Sequence, residues 1–188
     1  MRIGFTGVAL AGKDVAAQAL VQHRGFVMVN MSSALRRDLE ILDPYIRLDA
    51  SDGDHFIRVS HALQVYTYDE LKAVSDDFRT LLQRYGTDVW RSVDENVWVR
   101  RAAEAASHHD NVVTTGVRFV NEIEGIDWLV HVDRPGYGPV NDHVSDSGMQ
   151  DVIDRANFRL DNIGTEDELQ LKTILLYEHL LTLTPSGS

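Results

Sequence analysis

The sequence predicts an α/β fold, a mainly parallel central sheet with helices on both faces. Three observations carry that prediction. Short apolar runs alternate with segments of helical periodicity, the pattern of strand–helix–strand units whose crossovers cover both faces of a parallel sheet. No long linker and no internal repeat interrupts the alternation. The first unit also sets a glycine-rich stretch between a strand and a helix, a place where backbone N–H groups converge on anions. At 188 residues and 44% hydrophobic, the chain is long enough for a sizeable core. A single domain over residues 1–183 is expected, followed by a small, polar, loose tail at 184–188.

Arg2-Ile3-Gly4-Phe5-Thr6 is a short, mostly apolar run that suits the first strand, and Asp14 to Gln22 continues as a helix former. Gly25 stops that helix, and Phe26-Val27-Met28-Val29 reads as a short buried strand. Ser32 or Ser33 caps a helix through about Leu42, which Pro44 ends. The acidic, turn-rich stretch from Asp49 to Asp54 precedes a helix expected around Phe56 to Val65. Apolar residues at Leu71, Val74, Phe78, Leu81 and Leu82 suit one helix from Asp69 to Arg84 with a single buried face. Another helix is expected over Val93 to Ala106, and Trp90 and Trp98, eight residues apart, share a helical face and are expected in the core. Val112-Val113-Thr114-Thr115 and Trp128-Leu129-Val130-His131-Val132 read as inner strands around a short helix near Phe119 to Glu124. Phe158 to Leu160 is a further apolar stretch.

The eight residues Gly7-Val8-Ala9-Leu10-Ala11-Gly12-Lys13-Asp14 spell the phosphate loop G-x-x-x-x-G-K-[ST], with an aspartate in its last place. Successive backbone N–H groups and the helix N-terminus of such a loop surround a polyphosphate, while Lys13 supplies a point charge between the outer phosphates. Glycine has the permissive backbone this wrapping needs. A hydroxyl in the last place ordinarily ligates Mg²⁺; a carboxylate is also a hard oxygen ligand but adds negative charge beside the phosphates. Asp14 therefore has two readings: a ligand of Mg²⁺, directly or through water, or an acid that complements the helix dipole.

Charge and composition exclude several functions. A net charge of −11 argues against a nucleic-acid polymer as partner, since such binding needs basic surface. The absence of cysteine removes disulfides, thiolate catalysis and thiolate metal sites. No basic stretch followed by an apolar signal core opens the chain, and no apolar run approaches the roughly 20 residues that span a bilayer. A soluble cytoplasmic protein with no membrane partner is expected. His108-His109-Asp110 diverge on a helix and read as a solvated helix end. Asp49, Asp52 and Asp54 lack the downstream glutamate and the spacing of a calcium loop.

Ligands of parallel sheets gather at the carboxyl ends of the strands. Three later stretches follow such ends: Thr115-Gly116-Val117-Arg118-Phe119, Arg134-Pro135-Gly136 and Asp161-Asn162-Ile163-Gly164-Thr165. The segment from Arg134 to Ser145 is rich in Gly and Pro with little periodicity, and a lid over about residues 134–148 is expected. Its closure would exclude water that competes as phosphoryl acceptor.

At these residues the chain resembles the bacteriophage-type deoxynucleoside monophosphate kinases within the P-loop kinases. The resemblance is carried by an ordered set over about residues 2 to 170: the phosphate loop, Ser32-Ser33-Ala34-Leu35-Arg36, and Leu82-Gln83-Arg84-Tyr85-Gly86-Thr87-Asp88 with Arg91 and Trp98. It continues through Gly116-Val117-Arg118-Phe119 with Asn121-Glu122, Arg134-Pro135-Gly136, His143-Val144-Ser145-Asp146 and Asn162-Ile163-Gly164-Thr165. The glycine-lysine-aspartate loop alone also looks like that of phosphomevalonate kinases. Two positions depart from the family: Gly116 stands where it usually has an acidic residue, and Asp146 where it has glutamate.

The resemblance implies a three-layer P-loop kinase fold and transfer of the ATP γ-phosphoryl group to the 5′-phosphate of a deoxynucleoside monophosphate. It implies that Gly7, Ala11, Gly12, Lys13, Asp14 and Val15 hold ATP, with Arg134, Asn162, Gly164 and Thr165 around the adenine, and that Asp14 serves Mg²⁺. It places Ser32, Arg36, Gln83, Thr87, Asp88, Arg91, Arg118, Glu122 and His143 on the monophosphate side. Lys13, Asp14 and Arg118 would be catalytic, because phosphoryl transfer is mostly positioning and charge stabilisation, and guanidinium forks bind phosphate bidentately. Arg118 could instead form a surface ion pair with Glu122, and His143 could be a solvated loop histidine. A homodimer is allowed, and phage origin would place the protein in the host cytoplasm. Two alternatives stand beside the kinase of deoxynucleotides: a P-loop kinase of another small phosphorylated metabolite, and a nucleotide-binding module without catalysis.

Overall fold

In a computed structural model the described residues are 1–49, 55–138 and 149–183. Along the chain run β1 (Arg2–Thr6), α1 (Lys13–Arg24), β2 (Val27–Asn30), α2 (Ser33–Leu42), β3 (Tyr45–Leu48), β4 (His55–Arg58) and α3 (Val59–Ala62). There follow α4 (Tyr68–Val74), α5 (Asp76–Gln83), a π-helix (Arg84–Arg91), α6 (Val97–Ala106), β5 (Val112–Val117), a 3₁₀ turn (Val120–Ile123), β6 (Trp128–Asp133), α7 (Met149–Ile153), β7 (Phe158–Asp161) and α8 (Glu166–Leu183). The chain divides into two compact units, residues 1–31 with 102–188, and residues 32–101.

The first unit is built on a five-stranded sheet in the order β2-β5-β1-β6-β7, every pair parallel and flanked by helices. Ile3 and Phe5 of β1, Val113 of β5 and Val130 and Val132 of β6 are buried in one cluster with Ala16, Ala17 and Leu20 of α1 and Leu169 and Leu180 of α8. Inner parallel strands are covered on both faces, so they read as continuous apolar runs. Alanines on the buried side of α1 let that helix sit close to the sheet. Gly25 ends α1 in the left-handed conformation at φ 68°, its N–H donating to the carbonyl of Leu20, as expected of a glycine helix stop.

One irregularity interrupts the sheet. Phe5 pairs with Thr115 and Thr6 with Val117, so Gly116 is an extra residue, a β-bulge in the left-handed region at φ 79°. Bulges of this kind favour glycine because an added Cβ is strained there.

The second unit holds the antiparallel pair β3–β4 over a core of Ile46, Val59, Ala62, Leu71 and Phe78. Here the structure corrects several expectations. The helix expected at Phe56 to Val65 is a strand for its first part: Phe56 and Ile57 pair with Arg47 and Ile46, and only Val59–Ala62 is helical. Strand pairing overrides the local helical pattern. The helix expected over Asp69 to Arg84 is two helices broken at Ser75, whose backbone is extended. The Ser75 hydroxyl donates to the Arg47 carbonyl and accepts from the Phe78 N–H at 3.0 Å, so it caps α5 with Asp76 and Asp77 in the first turn.

The helix expected from Val93 begins at Val97, behind a π-helix that the apolar pattern did not announce. The two tryptophans lie on different elements, Trp90 near the end of the π-helix and Trp98 in α6. Trp98 is 5% exposed and packs with Ala34, Leu35 and Leu39, whereas Trp90 is 37% exposed. The chain leaves helical conformation at residues 94–96 between them, so an eight-residue spacing no longer returns to the same face. His108 and His109 are exposed, as expected of a helix end. The remaining part of the lid, with His143, Ser145 and Asp146, the tail, and Asp52 and Asp54 lie outside the described residues.

Candidate functional site

The glycines of the phosphate loop are dictated by contact as much as by backbone angle. Gly7 has φ 140° and Gly12 φ 100°. A Cβ on Gly7 would lie 2.4 Å from the carbonyl oxygen of Val132, and one on Gly12 would lie 2.6 Å from Nδ2 of Asn162 and 2.8 Å from Cδ2 of Leu169. Leu10, at the loop's tip, takes φ 62° and is exposed, a strained state for a side chain with a Cβ. Main-chain strain of this kind is characteristic of ligand clamps. Nζ of Lys13 donates to the Val8 carbonyl at 2.5 Å, which keeps the ammonium on the loop. The twelve-residue α1 starts at Lys13, so its N-terminal dipole points into the loop. Asp14 lies in its first turn, exposed, while Ala11 is fully buried and Val15 half-buried.

Two side chains from other strand ends grip this loop. Nδ2 of Asn162, after β7, donates to the Ala11 carbonyl at 2.9 Å. Nη1 of Arg134, after β6, donates to the Leu10 carbonyl at 3.1 Å, with its guanidinium 4.5 Å over the Tyr137 ring. Gly164 and Thr165 are placed differently: they lie just before α8. Thr165 Oγ1 accepts from the Glu168 N–H at 3.2 Å and the Glu168 carboxylate accepts from the Thr165 N–H at 2.9 Å, a reciprocal helix cap. The same carboxylate occupies the space a side chain on Gly164 would need.

Arg118 follows β5 and is half-buried. Glu122, 4% exposed, accepts from the backbone N–H of Arg118 at 2.7 Å and of Phe119 at 3.2 Å, so its carboxylate shapes the turn that carries Arg118. Beside the Gly116 bulge stands Asn30, at the carboxyl end of β2. Its Nδ2 donates to Thr115 Oγ1 at 2.9 Å, and its Oδ1 lies 3.5 Å from where a Cβ of Gly116 would be.

The sequence reading missed a polar cluster at the ends of β6 and β7. His131 has its Cδ2 3.5 Å from the Cβ position of Gly7. Burial lowers its pKa below the ordinary histidine value; Asp133 works against that, and Arg159 and Lys13 add to it. Arg159 binds Asp133 at 2.5 Å and Asp161 at 2.8 Å. The run Trp128–Val132 is so apolar that its histidine reads as strand filler; only its place one strand from the loop could have flagged it.

In the second unit Ser32 occupies the N-cap of α2 without a side-chain capping bond. Arg36 lies 4.7 Å over the Tyr68 ring and lines a cavity of 630 Å³ together with Glu40, Ser60, Tyr66, Thr67 and Asp69. The Tyr68 hydroxyl donates to Glu40 at 2.9 Å, and burial followed by that carboxylate pushes its pKa up, so it stays a neutral donor. Gln83 ends α5, and Thr87, Asp88 and Arg91 ride on the π-helix.

The first unit fits a bound nucleotide polyphosphate. The loop is a backbone cradle whose Gly7 and Gly12 leave no room for a Cβ against Val132, Asn162 and Leu169, with the Lys13 ammonium on it and the N-terminus of α1 at its end. Among the described residues no cluster of three or more His, Asp or Glu could hold a metal. A Mg²⁺ ion there would have Asp14 with phosphate and water oxygens, the usual habit of that ion. No described helix is long and apolar enough to cross a membrane.

Comparison with known proteins agrees on the architecture. The chain is similar to the shikimate kinase of Aquifex aeolicus vf5 at a TM-score of 0.50 and 14% identity, covering 98% of this chain and 100% of that one. It is similar to the shikimate kinase of Acinetobacter baumannii, solved in complex with shikimate, at a TM-score of 0.52 and 11% identity, covering 98% and 95%. No family model and no curated protein sequence matches the chain. At such identities the likeness is one of fold: a parallel central sheet flanked by helices.

Proposed function

We propose that the protein is an ATP-dependent phosphotransferase acting on a small acceptor, and that a deoxynucleoside monophosphate is that acceptor. The observation that carries the reading is the phosphate loop, whose two glycines admit no side chain and whose carbonyls are held by Asn162 and Arg134. Such a pre-shaped cradle needs no reorganisation when charge develops on the transferring group. The ordered motifs around Gln83–Asp88 and Arg118 support the monophosphate.

An acceptor phosphate oxygen attacks the γ-phosphorus; the new P–O bond forms as the bond to the β,γ-bridging oxygen breaks, and ADP leaves. Lys13 meets the negative charge on the β- and γ-oxygens, and Arg118 clamps the acceptor phosphate with its fork. Bound Mg²⁺ would neutralise charge between the outer phosphates, with Asp14 as the residue to hold it.

A second reading, a kinase of another small metabolite, is favoured by the likeness to shikimate kinases. A coupled ADP-release assay separates the two across deoxynucleoside monophosphates, shikimate, dephospho-coenzyme A and phosphomevalonate. ADP formed only with a monophosphate supports the first reading and only with another acceptor the second. ADP formed with none leaves a nucleotide-binding module.

A further inference from the structure

The π-helix at Arg84–Arg91 spans eight residues, although π turns occur mostly as single turns within α-helices and often at functional sites. Apolar burial does not explain it. Val89 is 52% exposed, Trp90 is exposed as well, and only Gly86 of the eight is buried. Two contacts hold its shape. The Gly86 carbonyl accepts a buried hydrogen bond from Nε1 of Trp98 at 2.8 Å, and a Cβ on Gly86 would stand 3.0 Å from Cδ2 of Leu35.

Trp98 is itself locked. It packs on Ala34, Leu35 and Leu39, and the Arg101 guanidinium sits 5.5 Å over its ring. Arg101 in turn makes two hydrogen bonds to the Asp38 carboxylate at 2.6 and 2.8 Å. The consequence falls on Asp88. Were α5 to continue as an α-helix, Asp88 would follow Leu81 by seven residues and share its face, against the apolar cluster that Leu81 joins. In the π-helix Asp88 is exposed, with Thr87 and Arg91 half-buried.

We propose that Trp98 is a positioning residue: by fixing the Gly86 carbonyl, its indole N–H holds the π-helix in the shape that presents Thr87, Asp88 and Arg91 to the phosphoryl acceptor. The identity of that acceptor rests on the kinase reading above; the role of Trp98 does not depend on turnover. Without the N–H, the Gly86 carbonyl is a buried acceptor with a lost partner, and the segment relaxes toward α-helical pitch, turning Asp88 toward Leu81.

Trp98→Phe keeps an aromatic ring and deletes the donor. The expected result is an acceptor KM raised about fivefold or more, with the KM for ATP and kcat within about twofold of the parent. A merely structural role would lower the melting temperature and the active fraction, hence kcat, and leave both KM values alone; an unchanged acceptor KM overturns the inference. Amide hydrogen exchange over Arg84–Arg91 in the parent protein needs neither turnover nor a folded variant. Each acceptor named above serves as probe. Slower exchange with one of them and not with ATP alone supports the inference, even if the parent phosphorylates none and the kinase reading falls. Exchange that no acceptor slows overturns it.

Discussion

Replacing Asn162 with alanine removes the amide that ties the turn after β7 to the phosphate loop, the 2.9 Å bond from Nδ2 to the Ala11 carbonyl. A neutral hydrogen bond at a half-buried site contributes about 0.5–1.5 kcal/mol net, so about 1 kcal/mol is the expected loss in the nucleotide-free protein. For a chain of this length that lowers the melting temperature by roughly 2–4 °C. If the bond also holds the loop in its binding shape, ATP affinity falls about fivefold. Asn162→Asp sharpens the test, because it keeps the size of the side chain but sets a charged oxygen against the Ala11 carbonyl oxygen, acceptor facing acceptor. Thermal melting without nucleotide should therefore rank the parent above alanine and alanine above aspartate, and calorimetric ATP titration should follow the same order. Aspartate melting above alanine would refute the reasoning, since Asn162 would then act only as a wedge beside Gly12.

Lys13→Ala should lower turnover by about 100-fold or more, because it removes charge aimed at the transferring group, while circular dichroism stays that of the parent; unchanged turnover would sink the assignment. Asp14→Asn should make ATP binding less dependent on Mg²⁺, since without the cation a carboxylate repels the phosphates at close range, and should also slow turnover. Calorimetry with and without the metal checks this, and equal metal dependence with equal turnover would return Asp14 to the role of a helix-start acid. His131 titrates below the ordinary value of 6.5, so the folded chain takes up its proton less readily than the unfolded one. Stability is then lost as pH falls from that value toward the folded pKa. Melting curves against pH should show a shallower acid loss in His131→Phe; parallel curves would remove the histidine from the account.

The sheet and the phosphate loop are legible in the sequence because their causes are local. Parallel inner strands need apolar residues on both faces, as at Ile3, Phe5, Val113 and Val130, and the loop's glycines follow from φ values that favour glycine. The second unit is less legible because its causes are not local. Phe56 and Ile57 pair with a strand ten or so residues earlier, a partner that helical periodicity around Val59 conceals. Ser75 was readable: serine before two aspartates is a helix-start signal, masked by the apolar spacing from Leu71 to Leu82 that runs across it. The π-helix leaves no mark in hydrophobic periodicity, because its shape depends on the Trp98 indole and on the missing Cβ of Gly86. At the site, Asn162 and Arg134 were recognisable from their places after strand ends. Their grip on Leu10 and Ala11 is a main-chain contact, and His131 hides in an apolar strand.

The bulge at Gly116 also limits which side chains that strand end can carry. Residues with a Cβ enter the left-handed region at a cost of about 1–2 kcal/mol, and aspartate and asparagine enter it more readily than others. A side chain at position 116 would thus cost stability through the backbone angle, since its Cβ would meet Asn30 only at an ordinary 3.5 Å. An acid is carried without that cost at position 14, in the first turn of α1.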